Sequence, residues 1–181
     1  TRLMTDLPSY KRIKHAISDI EKKVKNQINS CYLTHDNSIA SHYLYDGDKI
    51  QSVWTKGSKN QRLELIPDEK DTELQLKFSE YKARNIGNIQ FFQNSRINTS
   101  RTMTINDLFT GRALFCIDTL LDQICRYEPE VQRALLLVLT SSSGQMSKMV
   151  FAITNRGKNT GIRGDRIEVG SWAIGYWRPK I

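Results

Sequence analysis

The stretch NDLFTGRALFCIDTLLDQI, residues 106–124, has the apolar pattern of one helix face. Its apolar residues recur at spacings of three and four positions, as an amphipathic α-helix requires. They are Leu108, Phe109, Ala113, Leu114, Ile117, Leu120, Leu121 and Ile124. Thr104 precedes Asp107 by three residues, a spacing typical of a capping box at a helix start. The pattern predicts a single helix of about 20 residues.

A second apolar helix is predicted after a short connection. Pro129 suits the first turn of a helix, because a backbone N–H at that position has no partner within the helix. The next residues, VQRALLLVLTSS at 131–142, are apolar almost all round, which is typical of a buried helix. We therefore expect a long hairpin of helices over about residues 106–140 at the centre of the core, with its second helix as the most buried element.

The N-terminal part of the chain predicts a helix and a small β-hairpin. Ser9 precedes a run of isoleucines and Val24 at helical spacing, which indicates an amphipathic helix. Its other face carries Lys11, Arg12, Lys14, Lys22, Lys23 and Lys25. A basic helix face of this kind is more often solvated than a binding surface. Asp46-Gly47 lies between two short β-type runs in residues 42–53 and predicts a tight turn.

The remaining segments complete the prediction of the fold class. Residues 55–62, TKGSKNQR, are polar without periodicity and indicate a loop, and the run after Pro67 begins with acids and ends with bases, which favours a second helix. Residues 85–102 indicate an irregular connection, and the segment 147–155 fits a helix or a strand. IEVGSWAIGYW, residues 167–177, alternates as a strand does. The prediction is an α+β fold, with a helical core, an N-terminal helix, a small hairpin and C-terminal strands.

A chain of 181 residues is long enough for one domain with its own core. We expect a single domain over 1–181, in which 104–145 form a helical scaffold and 146–181 a basic loop and strands, and 30–100 could form a smaller lobe. The longest apolar run, ALLLVL at 134–139, is far shorter than the roughly 20 residues that cross a bilayer. The N-terminus has no signal-peptide pattern. The expected location is the cytoplasm, away from membranes.

Sequence motifs for catalysis or metal binding are not found in the chain. It contains no GxxxxGK[ST], GxSxG or HExxH, and its three histidines stand apart from any metal-ligand spacing. The cysteines Cys31, Cys116 and Cys125 form no CxxC pair, so we expect buried thiols rather than zinc ligands or disulfides. A small nuclease built on acidic residues is the weakest alternative because their spacing is wrong for a metal site. Those acids are Glu64, Asp68, Glu69 and Glu73. No catalytic residue is assigned.

The charge balance favours a polyanionic partner. Lys and Arg outnumber Asp and Glu by 27 to 19, and the formal net charge is +8. Cations that neutralise phosphates release counterions from a nucleic acid, and this release favours binding. The candidate DNA-binding residues are Arg156, Lys158, Arg163, Arg166, Arg178 and Lys180. Glycine-spaced cations can follow a phosphate backbone.

Three aromatic residues accompany these cations near the C-terminus: Trp172, Tyr176 and Trp177. Aromatic rings in this position either stack on an exposed base or hold the basic segment to the core. The alternative for the whole region is a mobile solubilising loop followed by core tryptophans. The residues alone leave both interpretations open.

Four segments together resemble one part of a known enzyme family. They are INDLFTGRAL at 105–114, ALLLVLTS at 134–141, SKM at 147–149 and VGSWAIGYWRP at 169–179. The chain resembles, over about residues 104–181, the region between the cofactor-binding and catalytic halves of bacterial adenine-specific DNA methyltransferases of restriction and phage-defence type. In the full enzyme this resemblance implies S-adenosylmethionine as cofactor. The chain has neither the family's glycine-rich cofactor motif nor its Asp-Pro-Pro-Tyr motif, so no cofactor is expected here.

The resemblance implies a target-recognition region that binds duplex DNA beside the catalytic methyltransferase domain of the same protein. Methyl transfer to adenine requires the base to leave the duplex, so DNA must be held from outside the catalytic domain. By the same resemblance, Arg112 is expected to have a structural role at a helix start, paired with a carboxylate. The family's cysteine-rich ribbon has no counterpart, so 30–100 receive no role. The abrupt end at Ile181 suggests an excised segment.

A protein-interaction or scaffold module of a restriction or phage-defence system is the alternative from a different functional class. In that case the positive charge serves solubility alone. An exposed apolar patch on the helix at 10–29, with cations scattered evenly over the surface, would favour it.

Overall fold

The computed structural model describes residues 8–46, 49–59, 61–90, 104–147, 151–154 and 166–175, with backbone alone for 44–46, 145, 151–154 and 166–175. The described residues form an α+β fold of five helices and one antiparallel sheet, as predicted. The helices are α1 (Tyr10–Ser30), α2 (Glu69–Ser79), α3 (Ile105–Leu108), α4 (Gly111–Ile124) and α5 (Pro129–Met146). The strands are β1 (His42–Asp46), β2 (Lys49–Lys56), β3 (Arg62–Leu65), β4 (Phe151–Thr154) and β5 (Arg166–Gly175).

Helix α1 confirms the predicted N-terminal helix. It begins after Ser9, whose side-chain oxygen accepts a hydrogen bond from the backbone N–H of Arg12 at 3.4 Å. Its buried residues are Ala16, Ile17, Ile20, Val24 and Ile28. This stripe packs against α4 and α5, so the apolar face found in the sequence is the face that enters the core.

The sheet has the strand order β3-β2-β1-β5-β4, and all neighbouring strands are antiparallel. Strands β1 and β2 form the hairpin predicted around Asp46-Gly47. Tyr43 of β1 lies opposite Val53 of β2, and both side chains are buried. Residues 151–154 form a strand. The sequence allowed a helix or a strand for the segment 147–155, and the strand is confirmed for these four residues.

The predicted loop at 55–62 is wrong at both ends. Strand β2 continues through Lys56, and β3 begins at Arg62. The sequence signal is weak because β3 lies at an edge of the sheet and its side chains are mostly exposed, so no apolar alternation marks it. Polar contacts join it to β2 instead: the Ser52 hydroxyl donates to a carboxylate oxygen of Glu64 at 2.7 Å.

The helix predicted over 106–124 is interrupted. The capping interaction at Thr104 is present, because its backbone N–H donates to Asp107 Oδ2 at 2.8 Å, but α3 ends after one turn at Leu108. Phe109 and Thr110 are extended, and the Thr110 hydroxyl then caps α4 by accepting a hydrogen bond from the Ala113 N–H at 3.2 Å. The second cap explains the break, since the backbone must leave the helical conformation to form it.

Helix α4, and not α5, is the most buried helix of the described fold. Eight of its 14 residues are buried, because α1, α2 and α5 all pack against it. Helix α5 follows α4 after a short turn and packs on α1 and α4, but Leu137 on its other side is 68% exposed. The expectation that α5 is the most buried element is therefore wrong. Among the described residues, no helix is both long enough and apolar enough to span a bilayer.

The three cysteines are free thiols in different surroundings. Cys31 and Cys116 are buried, as expected. Cys125 is exposed, because it is the C-cap of α4 at the start of the turn towards α5. The prediction of a buried thiol is wrong for Cys125.

Candidate nucleic-acid interface

Most of the predicted DNA-binding residues fall in two segments outside the described residues. Arg156, Lys158 and Arg163 belong to 155–165, whereas Tyr176, Trp177, Arg178 and Lys180 belong to 176–181. Arg166 and Trp172 belong to β5, whose backbone is described. The strand pairing places Arg166 opposite Thr154 of β4 and Trp172 opposite Tyr45 of β1. The two strands that flank 155–165 in sequence therefore both belong to the sheet.

Helix α1 presents a row of lysines on an exposed side next to its buried stripe. Lys11, Lys14, Lys22 and Lys25 are exposed, and steps of three, eight and three residues at about 100° per residue keep them on one side of the helix. We call these four residues the lysine face. At about 1.5 Å per residue it extends about 21 Å along the axis. Among the described residues, no carboxylate forms an ion pair with any of the four.

Other charges of α1 are neutralised by contacts that hold the helix in place. Arg12 pairs with Glu128 before α5, and Lys23 Nζ lies 2.7 Å from Asp19 Oδ2. The Tyr127 hydroxyl also donates to Asp19 Oδ2, at 2.7 Å. The hydrogen bonds from Lys23 and Tyr127 lower the pKa of Asp19, whereas burial and the bond to Asp19 raise the pKa of Tyr127 to about 12. These contacts fix the orientation of the lysine face relative to α5.

A smaller cationic group lies on the sheet, and two of its members, Lys56 and Arg62, belong to the predicted loop at 55–62. The Arg62 guanidinium carbon is 4.1 Å from the centre of the Trp54 ring, and the His42 ring is 5.5 Å from the same ring. Burial, followed by the positive charges of Arg62 and Lys56, lowers the pKa of His42. His42 pairs with Gly175, so this group lies beside the end of β5. An anion near it would be attracted by Arg62 and Lys56.

Arg112 belongs to the protein interior. It lies in the first turn of α4, where a structural role was predicted, and is buried. Its guanidinium carbon is 4.4 Å from the centre of the Tyr43 ring and 5.3 Å from that of Tyr32, within the range of cation–π contacts. The Tyr43 hydroxyl donates to buried Asp71 at 3.2 Å, and burial raises the pKa of Asp71. The carboxylate partner expected for Arg112 stays a prediction.

The acidic residues considered for a nuclease have separate structural roles. Glu64 accepts a hydrogen bond from Ser52, and Asp68 caps α2 by accepting one from the Asp71 N–H at 3.0 Å. Glu69 and Glu73 are exposed on α2. Within the described part of the chain, no group of three or more His, Cys, Asp or Glu side chains is arranged to hold a metal ion.

Comparisons with models of protein families, with curated proteins and with solved structures found no match. The resemblance to adenine-specific DNA methyltransferases therefore stays a prediction. The lysine face is the largest group of cations that the described helices and strands present on one side of a single element. This face is the part of the described structure that is best suited to bind a polyanion.

Proposed function

We propose that this protein binds duplex DNA through its phosphates, as the target-recognition region of an adenine-specific DNA methyltransferase in the cytoplasm. The lysine face carries the proposal. It places four exposed cations on one rigid helix, in a chain whose formal net charge is +8. A solvated surface would also be basic, but these cations lie along one side of a single helix, so their positive potential is concentrated there.

The dimensions of the lysine face suit a polyanion. Duplex DNA presents about one phosphate charge per 1.7 Å of its axis. A face about 21 Å long can therefore contact several phosphates at once. Each contact releases counterions, so the affinity depends strongly on salt and little on sequence. Arg12 and Lys23 add less, because carboxylates of the same protein already neutralise them.

The rest of the proposed function follows from the family resemblance. The candidate residues Arg156, Lys158 and Arg163 extend the phosphate contacts from the basic segment at 155–165. S-adenosylmethionine and the catalytic residues belong to the methyltransferase domain of the same protein. This region holds the duplex while the adenine is turned out of the stack. It performs no methyl transfer itself.

A triple substitution of the lysine face tests this function. In the variant Lys14→Gln, Lys22→Gln and Lys25→Gln, we expect weaker binding to every duplex, because phosphate contacts are lost. The slope of log affinity against log salt should flatten by roughly 0.9 for each lost contact. Fluorescence anisotropy with a labelled duplex, repeated over a salt series, measures both quantities.

The control removes the same number of charges elsewhere. Lys59, Lys77 and Lys82 are exposed and lie outside α1. Their joint substitution by Gln should reduce affinity less and should leave the salt slope nearly unchanged. Equal losses in both triple variants would show that only total charge matters, and this would remove the lysine face from the proposal.

One observation favours a second candidate function, docking of another protein domain. Leu137 on α5 is 68% exposed, and Val138 beside it is 37% exposed and lines a groove between α5 and α1. Exposed apolar residues of this kind are typical of interfaces. In the proposed enzyme the natural occupant is the catalytic domain of the same protein. Leu137→Lys should then weaken the association of the two domains without changing the affinity for DNA.

A further inference from the structure

Two basic residues lie directly opposite each other on one face of the sheet. Lys56 of β2 pairs with Arg62 of β3 in the strand register, and both residues are exposed. Directly opposite residues of antiparallel strands share a face, with Cβ atoms about 4.5–5.5 Å apart. Val53 belongs to the core and lies three positions before Lys56 on β2, so this face is turned away from the core. Like charges in this position repel each other, and a bound anion would relieve the repulsion.

The Arg62 guanidinium is held in place without being neutralised. It lies over the Trp54 indole, with its carbon 4.1 Å from the ring centre, and Trp54 itself is buried. No carboxylate of the described residues forms an ion pair with Arg62. A guanidinium carries its N–H groups along its edge, in a fork that matches two oxygens of a phosphate. Arg62 therefore offers oriented donors to an anion at the surface.

One carboxylate lies on the same face, but its hydrogen bond keeps it on the other side of Trp54. Glu64 of β3 pairs with Trp54 in the register and accepts a hydrogen bond from the Ser52 hydroxyl at 2.7 Å. Ser52 precedes Trp54 on β2 by two positions, whereas Lys56 follows it by two. Glu64 is thus bound on the side away from Lys56, and it does not neutralise Arg62.

We propose that Arg62 and Lys56 form a binding site for a phosphate monoester or for inorganic phosphate. Such a group carries about −1.5 to −2 charges at pH 7, so it matches two cations better than the single charge of a phosphodiester does. Two of its oxygens accept hydrogen bonds from the Arg62 guanidinium, and a third accepts one from the Lys56 ammonium. The proposal goes beyond the binding of duplex DNA and does not depend on the lysine face, because the site lies on the sheet and not on α1.

The phosphate can come from two sources, a nucleotide or free inorganic phosphate. Arg62 is exposed, and nucleobases stack on the guanidinium plane of an arginine as they do on aromatic rings. A nucleotide would gain this contact in addition to the contacts of its 5′-phosphate, whereas inorganic phosphate would not. The affinities of the two ligands therefore identify the source.

Isothermal titration calorimetry of the full chain at low ionic strength tests the site with uridine 5′-monophosphate, inorganic phosphate and uridine. We expect both phosphates to bind, and uridine, which has no phosphate, not to bind. Tighter binding of the nucleotide than of inorganic phosphate would assign the site to nucleotides, and equal affinities would assign it to the phosphate group alone. Arg62→Gln should weaken the binding of both phosphates by at least about tenfold, because charge-assisted hydrogen bonds are lost. Lys56→Gln leaves the contact between Arg62 and Trp54 in place and should also weaken binding.

His42 provides a readout beside the site. Its ring centre is 5.5 Å from that of Trp54, and its pKa is lowered by burial and by the positive charges of Arg62 and Lys56. A bound phosphate adds negative charge nearby, so the pKa of His42 should rise when the protein is saturated with the nucleotide. Proton NMR of the His42 ring measures this change. In Arg62→Gln the nucleotide should no longer raise the pKa.

Two control variants separate this site from the rest of the positive surface. Arg133 is an exposed arginine on α5, and Arg133→Gln should keep the affinity for both phosphates. The lysine-face variant Lys14→Gln, Lys22→Gln and Lys25→Gln should keep it as well, although its affinity for duplex DNA should fall. A loss in either control equal to that in Arg62→Gln would overturn the proposal. Uridine binding as tight as that of the nucleotide, or no binding of either phosphate by the unmodified protein, would also overturn it.

Discussion

Asp118→Ala should lower the free energy of unfolding by about 3–5 kcal/mol. The carboxylate of Asp118 is fully buried in the middle of α4. Its Oδ2 accepts hydrogen bonds from the Tyr81 hydroxyl and the Arg84 N–H, both at 2.8 Å, and its Oδ1 accepts one from the Asn85 N–H at 3.0 Å. Alanine would leave these donors without an acceptor and would leave a cavity. Denaturant unfolding followed by circular dichroism measures the loss.

Asp122, one turn later on α4, is the matched control for Asp118. It contacts the same segment, because its oxygens accept hydrogen bonds from the side chains of Arg84 at 3.0 Å and Asn85 at 2.8 Å. Its side chain is 41% exposed, so in Asp122→Ala water can accept the hydrogen bonds of Arg84 and Asn85, and the substitution should cost less than about 1 kcal/mol. Similar losses in the two variants would contradict the role given to Asp118.

Gly111→Ala should cost roughly 3 kcal/mol, because the first turn of α4 touches the end of α2. A Cβ atom at Gly111 would lie 1.8 Å from the Phe78 carbonyl oxygen and 3.2 Å from the Tyr81 Cβ. The first clash is with backbone, so no side-chain rotation relieves it. The Phe78 carbonyl already accepts a hydrogen bond from the Tyr81 N–H at 3.1 Å, which ties it to the end of α2. Thermal unfolding of the variant measures the effect.

The same substitution at Gly144 in α5 should act in the opposite direction. No atom lies within 4 Å of a Cβ placed there, and alanine favours a helix over glycine by up to about 1 kcal/mol. Gly144→Ala should therefore raise the midpoint temperature slightly, whereas Gly111→Ala should lower it by several degrees or more. A gain in stability for both variants would show that α2 and α4 do not approach each other so closely.

Local sequence signals were sufficient for several elements of the fold. The isoleucine spacing and Ser9 predicted α1, and Asp46-Gly47 predicted the β1–β2 hairpin. These signals depend on residues close in the chain, such as an apolar period or a capping side chain. The α+β class followed from the mixture of such segments.

Features that depend on distant contacts could not be predicted. Asp118 interrupts an apolar stretch, but its hydrogen-bond donors lie 33 to 37 residues earlier in the chain. The exposure of Leu137 depends on which sides of α5 the helices α1 and α4 cover. Each of these features depends on tertiary packing, which the spacing of apolar residues along the sequence does not show.

The candidate interface was predicted only in part. The lysines of α1 were visible in the sequence, but their usual interpretation is a solvated face. What the fold adds is the exposure of four of them along one side of α1 and the pairing of Arg12 and Lys23 with carboxylates. The cationic group around Trp54 was missed, because residues 55–62, which include Arg62, were predicted as a loop and the contact of Arg62 with Trp54 joins two strands.

The most direct test of DNA binding is the salt dependence of the unmodified protein's affinity for a duplex of arbitrary sequence. If basic side chains hold phosphates, the logarithm of the association constant should fall linearly with the logarithm of salt concentration, with a slope of about −0.9 per phosphate contact and several contacts in all. Tight binding should appear at low ionic strength. No binding under those conditions, or an affinity that does not change with salt, would contradict the account.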